Sequence, residues 1–313
     1  MSALEAPVIL TRETKNVSRP KVSVGVPVYN GAAFLEKSLA CLRDQTFRDI
    51  EILIFDNCSN DETGEIARRF CAADRRFRYH RQPINKGPAL NFLEVLEKAS
   101  ARYFMWRAAD DTSDLNYVEC LYSLLLAHPD RDIAVPRIVS ALPDGQVTQE
   151  HLVSPLIERG GAAGRFAQLF RSHQSWIYGL FRREAMIPIF KDVVREYPYV
   201  WGADFLSLFP LEFDRKVIGT NATAFRQYLR NPAPRRDKAQ RASRDDEKIE
   251  MGRSFMAFAH RHVDHSIANP LERWFYHLAV AYYGHRRACS FTKRIRRRLV
   301  WSFGMADAPA KPA

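Results

Sequence analysis

Three acidic residues sit where they could do chemistry. Asp56 directly follows the apolar run 51–55, and Asp110 with Asp111 closely follows the run 102–107. In an open α/β sheet, ligands bind outside the carboxyl ends of the strands, so an acid placed there has a use that an acid elsewhere lacks. A single carboxylate accepts hydrogen bonds from a base or ribose, and an adjacent pair offers hard oxygen ligands to a divalent cation that in turn grips a diphosphate. The same residues also suit a helix cap at Asp56 and a turn at Asp110 and Asp111. Two acidic strand ends in one half-domain favour a site.

The elements that must position these acids are legible in the hydropathy pattern. From residue 21, strand-like runs alternate with helix-period segments, the signature of βα units around a mostly parallel sheet. Val22–Val28 reads as a first strand, followed by a helix over 31–44 with Leu35, Leu39 and Leu42 on one face. Residues 51–55 form a short buried strand, and the cap residues 59–61 precede a helix that turns Ile66, Ala67 and Phe70 inward. Strands over Phe77–Arg81 and 102–107 bracket a helix over 90–99, and a helix over 115–127 leads to a strand over 133–139 and a turn at Pro143, Asp144 and Gly145. Between 150 and 230 the elements are short and mixed, with a helix opening near Asp204. Residues 232–248 are polar, hold two prolines and read as a mobile loop.

These residues, taken together, resemble a known family. The run Val24-Gly25-Val26-Pro27-Val28-Tyr29-Asn30 is followed by Ile52-Leu53-Ile54-Phe55-Asp56-Asn57-Cys58-Ser59-Asn60-Asp61, then Asn85-Lys86-Gly87 with Asn91, then Ala109-Asp110-Asp111. In this order they are similar to family 2 glycosyltransferases of the GT-A fold, over roughly residues 20–230. The resemblance implies a Rossmann-like central sheet flanked by helices, a nucleotide-sugar donor, most often a UDP-sugar, a divalent metal (Mn²⁺ or Mg²⁺) and inversion at the anomeric carbon. It implies that Pro27, Tyr29 and Asn30 line the nucleotide pocket and that Asp56, with Asn57, contacts the base or ribose. Asn85, Lys86, Gly87 and Asn91 would lie near the donor, Lys86 leaning toward phosphate or remaining a solvated surface charge. Asp110 and Asp111 match the later part of the metal-binding acidic motif, whose first acid is Ala108 here.

Glycosyl transfer needs the departing diphosphate neutralised and the acceptor hydroxyl deprotonated as it attacks. By the logic of inverting glycosidases, one carboxylate base opposite the leaving group gives inversion in a single displacement. The resemblance places that base in an acidic motif opening a later helix, which Trp201-Gly202-Ala203-Asp204-Phe205 matches. Asp204 is the one carboxylate between Glu196 and Glu212. Trp176, Tyr178 and Trp201 lie where such enzymes build the acceptor side; Trp176 and Tyr178 suit sugar stacking or core packing equally. Arg226, Arg235 and Arg236 would close over the diphosphate as a lid or sit as solvated basic residues.

Composition bounds the rest. With 313 residues and 46% hydrophobic content the chain builds a large core, and its 14 Gly and 17 Pro show no low-complexity bias. Five cysteines without a CxxC pair give no zinc ribbon or disulfide framework, and Cys58 reads as a small filler. His260, His262 and His265 alternate around a helix and do not converge on one ion. The net charge of +11 is concentrated: residues 286–313 hold eight Lys or Arg against Asp307. That distribution argues against a nucleic-acid groove and for a local patch. Residues 286–300 describe a cationic amphipathic helix that either lies on an anionic membrane or packs with its charges outward. The expected organisation is an N-terminal extension (1–20), a glycosyltransferase domain (21–230, nucleotide-binding over 21–112 and acceptor-binding over 113–230), a linker (231–248) and a helical extension with a basic tail (249–313). No signal segment is read, and a cytoplasmic enzyme, peripheral on the membrane, acting on a polysaccharide or glycolipid is expected. Two rivals are a nucleotide-sugar-binding protein without turnover and a nucleotidyltransferase, although the latter usually carries a Gly-rich basic loop that Pro27-Val28-Tyr29-Asn30-Gly31 does not resemble.

Overall fold

A computed structural model describes residues 19–229 and 238–287. The first half alternates strictly: β1 (Val22–Val28), α1 (Ala32–Arg43), β2 (Ile50–Asp56), α2 (Thr63–Ala73), β3 (Phe77–Arg81), α3 (Pro88–Lys98) and β4 (Tyr103–Trp106). Next come β5 (Thr112–Ser113), α4 (Tyr117–Ala127), β6 (Ile133–Ala141), β7 (Val147–His151) and α5 (Gly161–Arg171). A 3₁₀ turn (Gln174–Tyr178) precedes β8 (Leu180–Arg182), α6 (Arg183–Glu196), α7 (Ala203–Phe213) and β9 (Val217–Tyr228). Two helices, α8 (Lys238–Ser266) and α9 (Pro270–Arg287), follow.

The described strands form one sheet in the order β3-β2-β1-β4-β8-β6-β9-β5, with β7 paired to β6. Its long ladders are parallel: β1 pairs with β2 through seven residues and β6 with β9 through nine. The antiparallel joins of β8 to β4 and to β6 take two residue pairs each. Helices cover both faces, so β1 and β2 are buried at every position, as expected for central strands of a doubly covered sheet.

The alternation of Val22, Val24, Val26 and Val28 marks one buried face of β1. The other face is also buried, and its small residues explain how. Ser23 donates to Glu51, and Gly25 lets α3 press on the strand: a Cβ at Gly25 would stand 2.8 Å from Val95 and 2.9 Å from Phe104.

Hydrophobic burial divides into two clusters. The larger fills both sides of the sheet from Val22 to Phe225. The second joins α5, α6 and α7 to α8 and α9 through Leu169, Val193, Phe209, Phe255, Val263 and Tyr283. The loop read over 232–248 is corrected over 238–248, residues 230–237 lying outside the described ones: helix α8 begins at Lys238, because its C-terminal half buries Phe255, Ala259 and Val263 in this cluster and a helix once nucleated extends at little cost. The basic run beyond Arg287 lies outside the described residues.

Gly25→Ala is expected to destabilise the fold by about 1–3 kcal/mol through overpacking. The urea midpoint should fall; an unchanged midpoint would show that α3 does not bear on β1.

Candidate active site

Three adjacent parallel strands, β2, β1 and β4, end at one edge of the sheet. Asp56 closes β2, Asp110 lies in the turn after β4, and the strands that carry them stand two strand spacings apart, roughly 10 Å. That span suits a nucleoside diphosphate lying across the β1 end. Asn30 and Cys58, in the turns after β1 and β2, adopt left-handed φ values of 48° and 65°, a conformation that non-glycine residues take at a cost. The two turns are stitched together: Asn30 N donates to Ser59 Oγ and Asn60 N donates to Asn30 Oδ1.

Asp56 is fully buried and serves this edge from within. Its Oδ1 accepts from Ser59 N at 2.8 Å, its Oδ2 accepts from the Tyr79 hydroxyl at 2.6 Å, and Arg81 Nε stands 3.6 Å away. Burial, then the Asp56 carboxylate, pushes the Tyr79 phenol up to about 12. Tyr29, Asn30 and Arg81 are among the exposed groups at this edge, while Pro27 is buried within β1. Asn57 forms the neighbouring joint: its amide donates to Asn85 Oδ1 and to Gly87 O, and its Oδ1 accepts from Lys86 N. Gly87, at φ 83°, leads into α3 with Pro88 in the first turn.

Two of the residues expected near the donor have protein partners in this structure. Lys86 Nζ pairs with Glu94 at 3.1 Å, because α3 brings that acid under the loop. Asn91 is buried, and its Nδ2 donates to Phe55 O at 2.8 Å, joining α3 to β2.

Beside the β4 end lies a cleft of about 360 Å³, and Asp110, Asp111 and Asp204 all line it. They arrive from different parts of the chain. Asp110 and Asp111 turn out of β4, and Asp111 Oδ1 is fixed by Tyr228 N of β9 at 2.9 Å. Asp204 lies in the first turn of α7, whose start is set by Gly202 at φ 87° and by the Tyr197 hydroxyl donating to Trp201 O. Tyr178 stands among the acids: burial, followed by the charges of Asp111, Asp110 and Asp204, pushes its phenol well above the usual value. Its ring stacks on Phe225 at 4.8 Å, which backs this wall of the cleft. The polar side of the wall is Ser175 donating to Gln227, which donates on to Ser140.

Burial raises the Asp204 carboxyl above its ordinary value of 3.8. The Phe205 amide that bonds its Oδ1 at 2.8 Å, and the more distant Arg287 cation, pull it back without reversing the shift. A base that holds its proton more firmly is a stronger base, which is the change a general base at neutral pH requires.

The acceptor-side and lid expectations divide. Trp176 is fully buried within the core rather than lining the cleft, with His151 edge-on at 6.0 Å; the turn that exposes Gln174 and Tyr178 to the cleft points the indole the other way. Trp201 is 54% exposed, on the loop before α7. Arg226 is held in β9, bonded to Asp114 at 2.7 Å, so it is a strand residue and not a free lid group. Arg235 and Arg236 lie outside the described residues. The three histidines of α8 take different partners: His260 meets His277, His262 meets Asp214 and His265 meets Arg261 O.

Two charged residues near the cleft were not foreseen. Arg107 is buried between Tyr117 and Phe225, with its guanidinium 5.3 and 5.4 Å from their ring centres, and donates to Ser113. It places a fixed positive charge just before the acidic turn. Glu212, two turns along α7 from Asp204, is wholly buried, and that burial pushes it up to about 8 against the pull of Arg287. The only sequence signal for either was a charge inside an otherwise apolar run.

Among the described residues, no group of three or more His, Cys, Asp or Glu is set to hold a metal alone. Asp110 and Asp111 nevertheless suit a hard divalent cation that completes its oxygen shell from a diphosphate and water. Ala108, buried at the position of the family's first acid, adds no ligand.

Comparison with known proteins gives the family and the fold. The model for glycosyl transferase family 2 matches residues 23–190. Among curated relatives, the glycosyltransferase GlyA of Streptococcus pneumoniae is 36% identical over 115 residues, which cover 37% of this chain and 16% of that protein. A GalNAc(5)-diNAcBac-PP-undecaprenol beta-1,3-glucosyltransferase of Campylobacter jejuni is 33% identical over 93 residues, covering 29% of this chain and 30% of that one. The chain thus spans less than a third of the length of these two relatives. Among solved structures, S. aureus TarS in complex with UDP-GlcNAc superposes with a TM-score of 0.64 at 13% identity, covering 87% of this chain and 74% of TarS. The mannosyltransferase PcManGT of Pyrobaculum calidifontis, in complex with GDP-Man and Mn²⁺, gives 0.54 at 15% identity, covering 94% and 78%. At such identities the structures establish a shared fold.

Because the folded protein raises the Asp204 carboxyl, the native state binds its proton more tightly than the unfolded chain, and stability falls as pH rises through the carboxylate range. Asp204→Asn is therefore expected to raise the melting temperature at pH 7, with the gain shrinking toward pH 4. A lower melting temperature at pH 7 would contradict the burial assigned to this charge.

Proposed function

The chain belongs to glycosyl transferase family 2, and from that premise we propose that it transfers a sugar from a nucleoside diphosphate sugar to an acceptor hydroxyl, with inversion. The observation that carries this reading is the meeting of Asp110, Asp111 and Asp204 in one cleft beside the sheet edge that bears Tyr29, Asn57 and the 85–87 loop. A UDP-sugar is the proposed donor, a reading supported by the fold shared with TarS, whose structure holds UDP-GlcNAc.

In this reading the nucleoside lies over the ends of β1 and β2, against Tyr29, Asn30 and the turn that Asp56 and Asn57 hold in place, with Pro27 buried beneath them in β1. The diphosphate reaches toward Asp110 and Asp111. These two carboxylates would hold Mn²⁺ or Mg²⁺, which supplies positive charge to the departing diphosphate. The sugar occupies the cleft between them and Asp204. Tyr178 and the Ser175–Gln227 pair wall the cleft and exclude water from the reacting carbon. Asp204 takes the proton of the acceptor hydroxyl as its oxygen bonds to the anomeric carbon. The bond from that carbon to the diphosphate oxygen breaks on the opposite side, and the nucleoside diphosphate leaves with the electron pair.

The proposed acceptor is a growing polysaccharide or a lipid-linked saccharide at the cytoplasmic face of a membrane. The Campylobacter relative, named for an undecaprenol-linked substrate, supports this class. Among the described residues, no helix is long and apolar enough to cross a membrane. Ala108 favours a second reading, a donor-binding protein without turnover, because an acid is missing where the family carries one.

Calorimetry with UDP-sugars and Mn²⁺, paired with a product assay, separates the two. Asp204→Asn should bind donor nearly as the native protein does, while transfer falls about 10²- to 10⁴-fold, the usual share of a general base. Donor binding without any transfer by the native protein would establish the second reading. No binding of any donor, with or without metal, would sink both.

A further inference from the structure

Helix α9 is apolar on two faces. Tyr276, Val280 and Tyr283 turn inward to the second hydrophobic cluster. On the outer side, Leu271, Trp274, Phe275, Leu278 and Tyr282 recur at helical spacing and are 82%, 64%, 47%, 53% and 56% exposed. Behind this stripe, Phe275 touches Phe166 at 5.7 Å and Tyr282 touches Phe170 at 5.5 Å, so the patch is seated firmly on α5. Single exposed apolar residues are ordinary, but a contiguous row containing three aromatics marks a surface that meets something.

We propose that this outer stripe of α9 docks the protein onto an anionic lipid surface, inserting Trp274, Phe275 and Leu278 at the level of the headgroups. Charge decides the occupant. The helix ends with Arg286 and Arg287, and the sequence continues with Lys293, Arg294, Arg296, Arg297 and Arg298 before its first acid at Asp307. Along α9 itself the one acid is Glu272, whose carboxylate already faces Arg165 at 3.6 Å. A second copy of this chain pressed stripe against stripe would bring the same positive excess against itself. A bilayer rich in anionic headgroups answers both features, since aromatic and aliphatic side chains beside a basic segment are the pattern of interfacial helices. The stripe is distinct from the cleft, and the inference does not depend on which sugar is moved.

The test uses the full chain with vesicles of phosphatidylglycerol and phosphatidylcholine, and with vesicles of phosphatidylcholine alone, read by co-sedimentation and tryptophan emission. The native protein should sediment with the anionic vesicles, shift its emission to the blue, and detach as salt is raised. A Trp274→Ser, Leu278→Ser double variant should lose about tenfold or more in bound fraction, since transfer of apolar area drives insertion. Leu126→Ser, an equally exposed site on α4, should change nothing. Because all three side chains face solvent, unchanged melting temperatures would show that folding is intact. Vesicle binding undiminished in the double variant would overturn the proposal by assigning the attraction to the basic segment alone. Absence of vesicle binding, with a dimer in light scattering that the double variant dissociates, would overturn it in favour of a second copy.

Discussion

Three carboxylates in one small cleft repel one another, and holding them there is the constraint on which the site depends. Their convergence is stable only because each is anchored by backbone that has other reasons to be where it is. Asp110 and Asp111 leave a strand locked between β1 and β8, and β9 clamps Asp111 through the Tyr228 amide. Asp204 is fixed by the first turn of a helix whose remaining residues are buried almost without exception. The buried guanidinium of Arg107 offsets part of the negative field from beneath. The remaining charge is what a cation and a diphosphate would complete, so the electrostatic cost of the free site is also its selectivity.

The second hydrophobic cluster links the helix that carries Asp204 to the C-terminal helices. Phe205, Phe209 and Phe213 of α7 pack with Phe255, Tyr276 and Tyr283 of α8 and α9. Arg287, at the end of α9, donates to Ser172 at 2.7 Å and lies over the Phe205 ring at 4.6 Å, next to the proposed base. Its charge lowers both Asp204 and Glu212 against the effect of burial. The pair of helices therefore does more than extend the domain: it helps set how tightly Asp204 holds a proton, while its outer face remains apolar.

Much of this was readable in the sequence because local pattern and tertiary context agree there. Strand β1 falls at Val22–Val28, β3 at Phe77–Arg81, and Asp56 closes β2, while Asp110 and Asp111 lie in the turn between β4 and β5. The helix expected to open near Asp204 is α7, with Asp204 in its first turn. Contacts that depend on what another element brings were not. Lys86 looked free until α3 supplied Glu94, Arg226 until Asp114 faced it, and Trp176 could not be assigned to core or surface without knowing the twist of its turn. The helical start at Lys238 was hidden for a related reason: polar residues give no sign that a buried segment downstream will hold them in register.

The central claim is that one ligand bridges the strand edge and the acidic cleft. A crystal structure with UDP and Mn²⁺, located by anomalous scattering, tests it directly. The account predicts a manganese peak at about 2.1–2.3 Å from a carboxylate oxygen of Asp110 or Asp111, bonded to the diphosphate, with the uracil over the ends of β1 and β2. A nucleotide seated elsewhere, or a manganese ion remote from both acids while the nucleotide is bound, would contradict it.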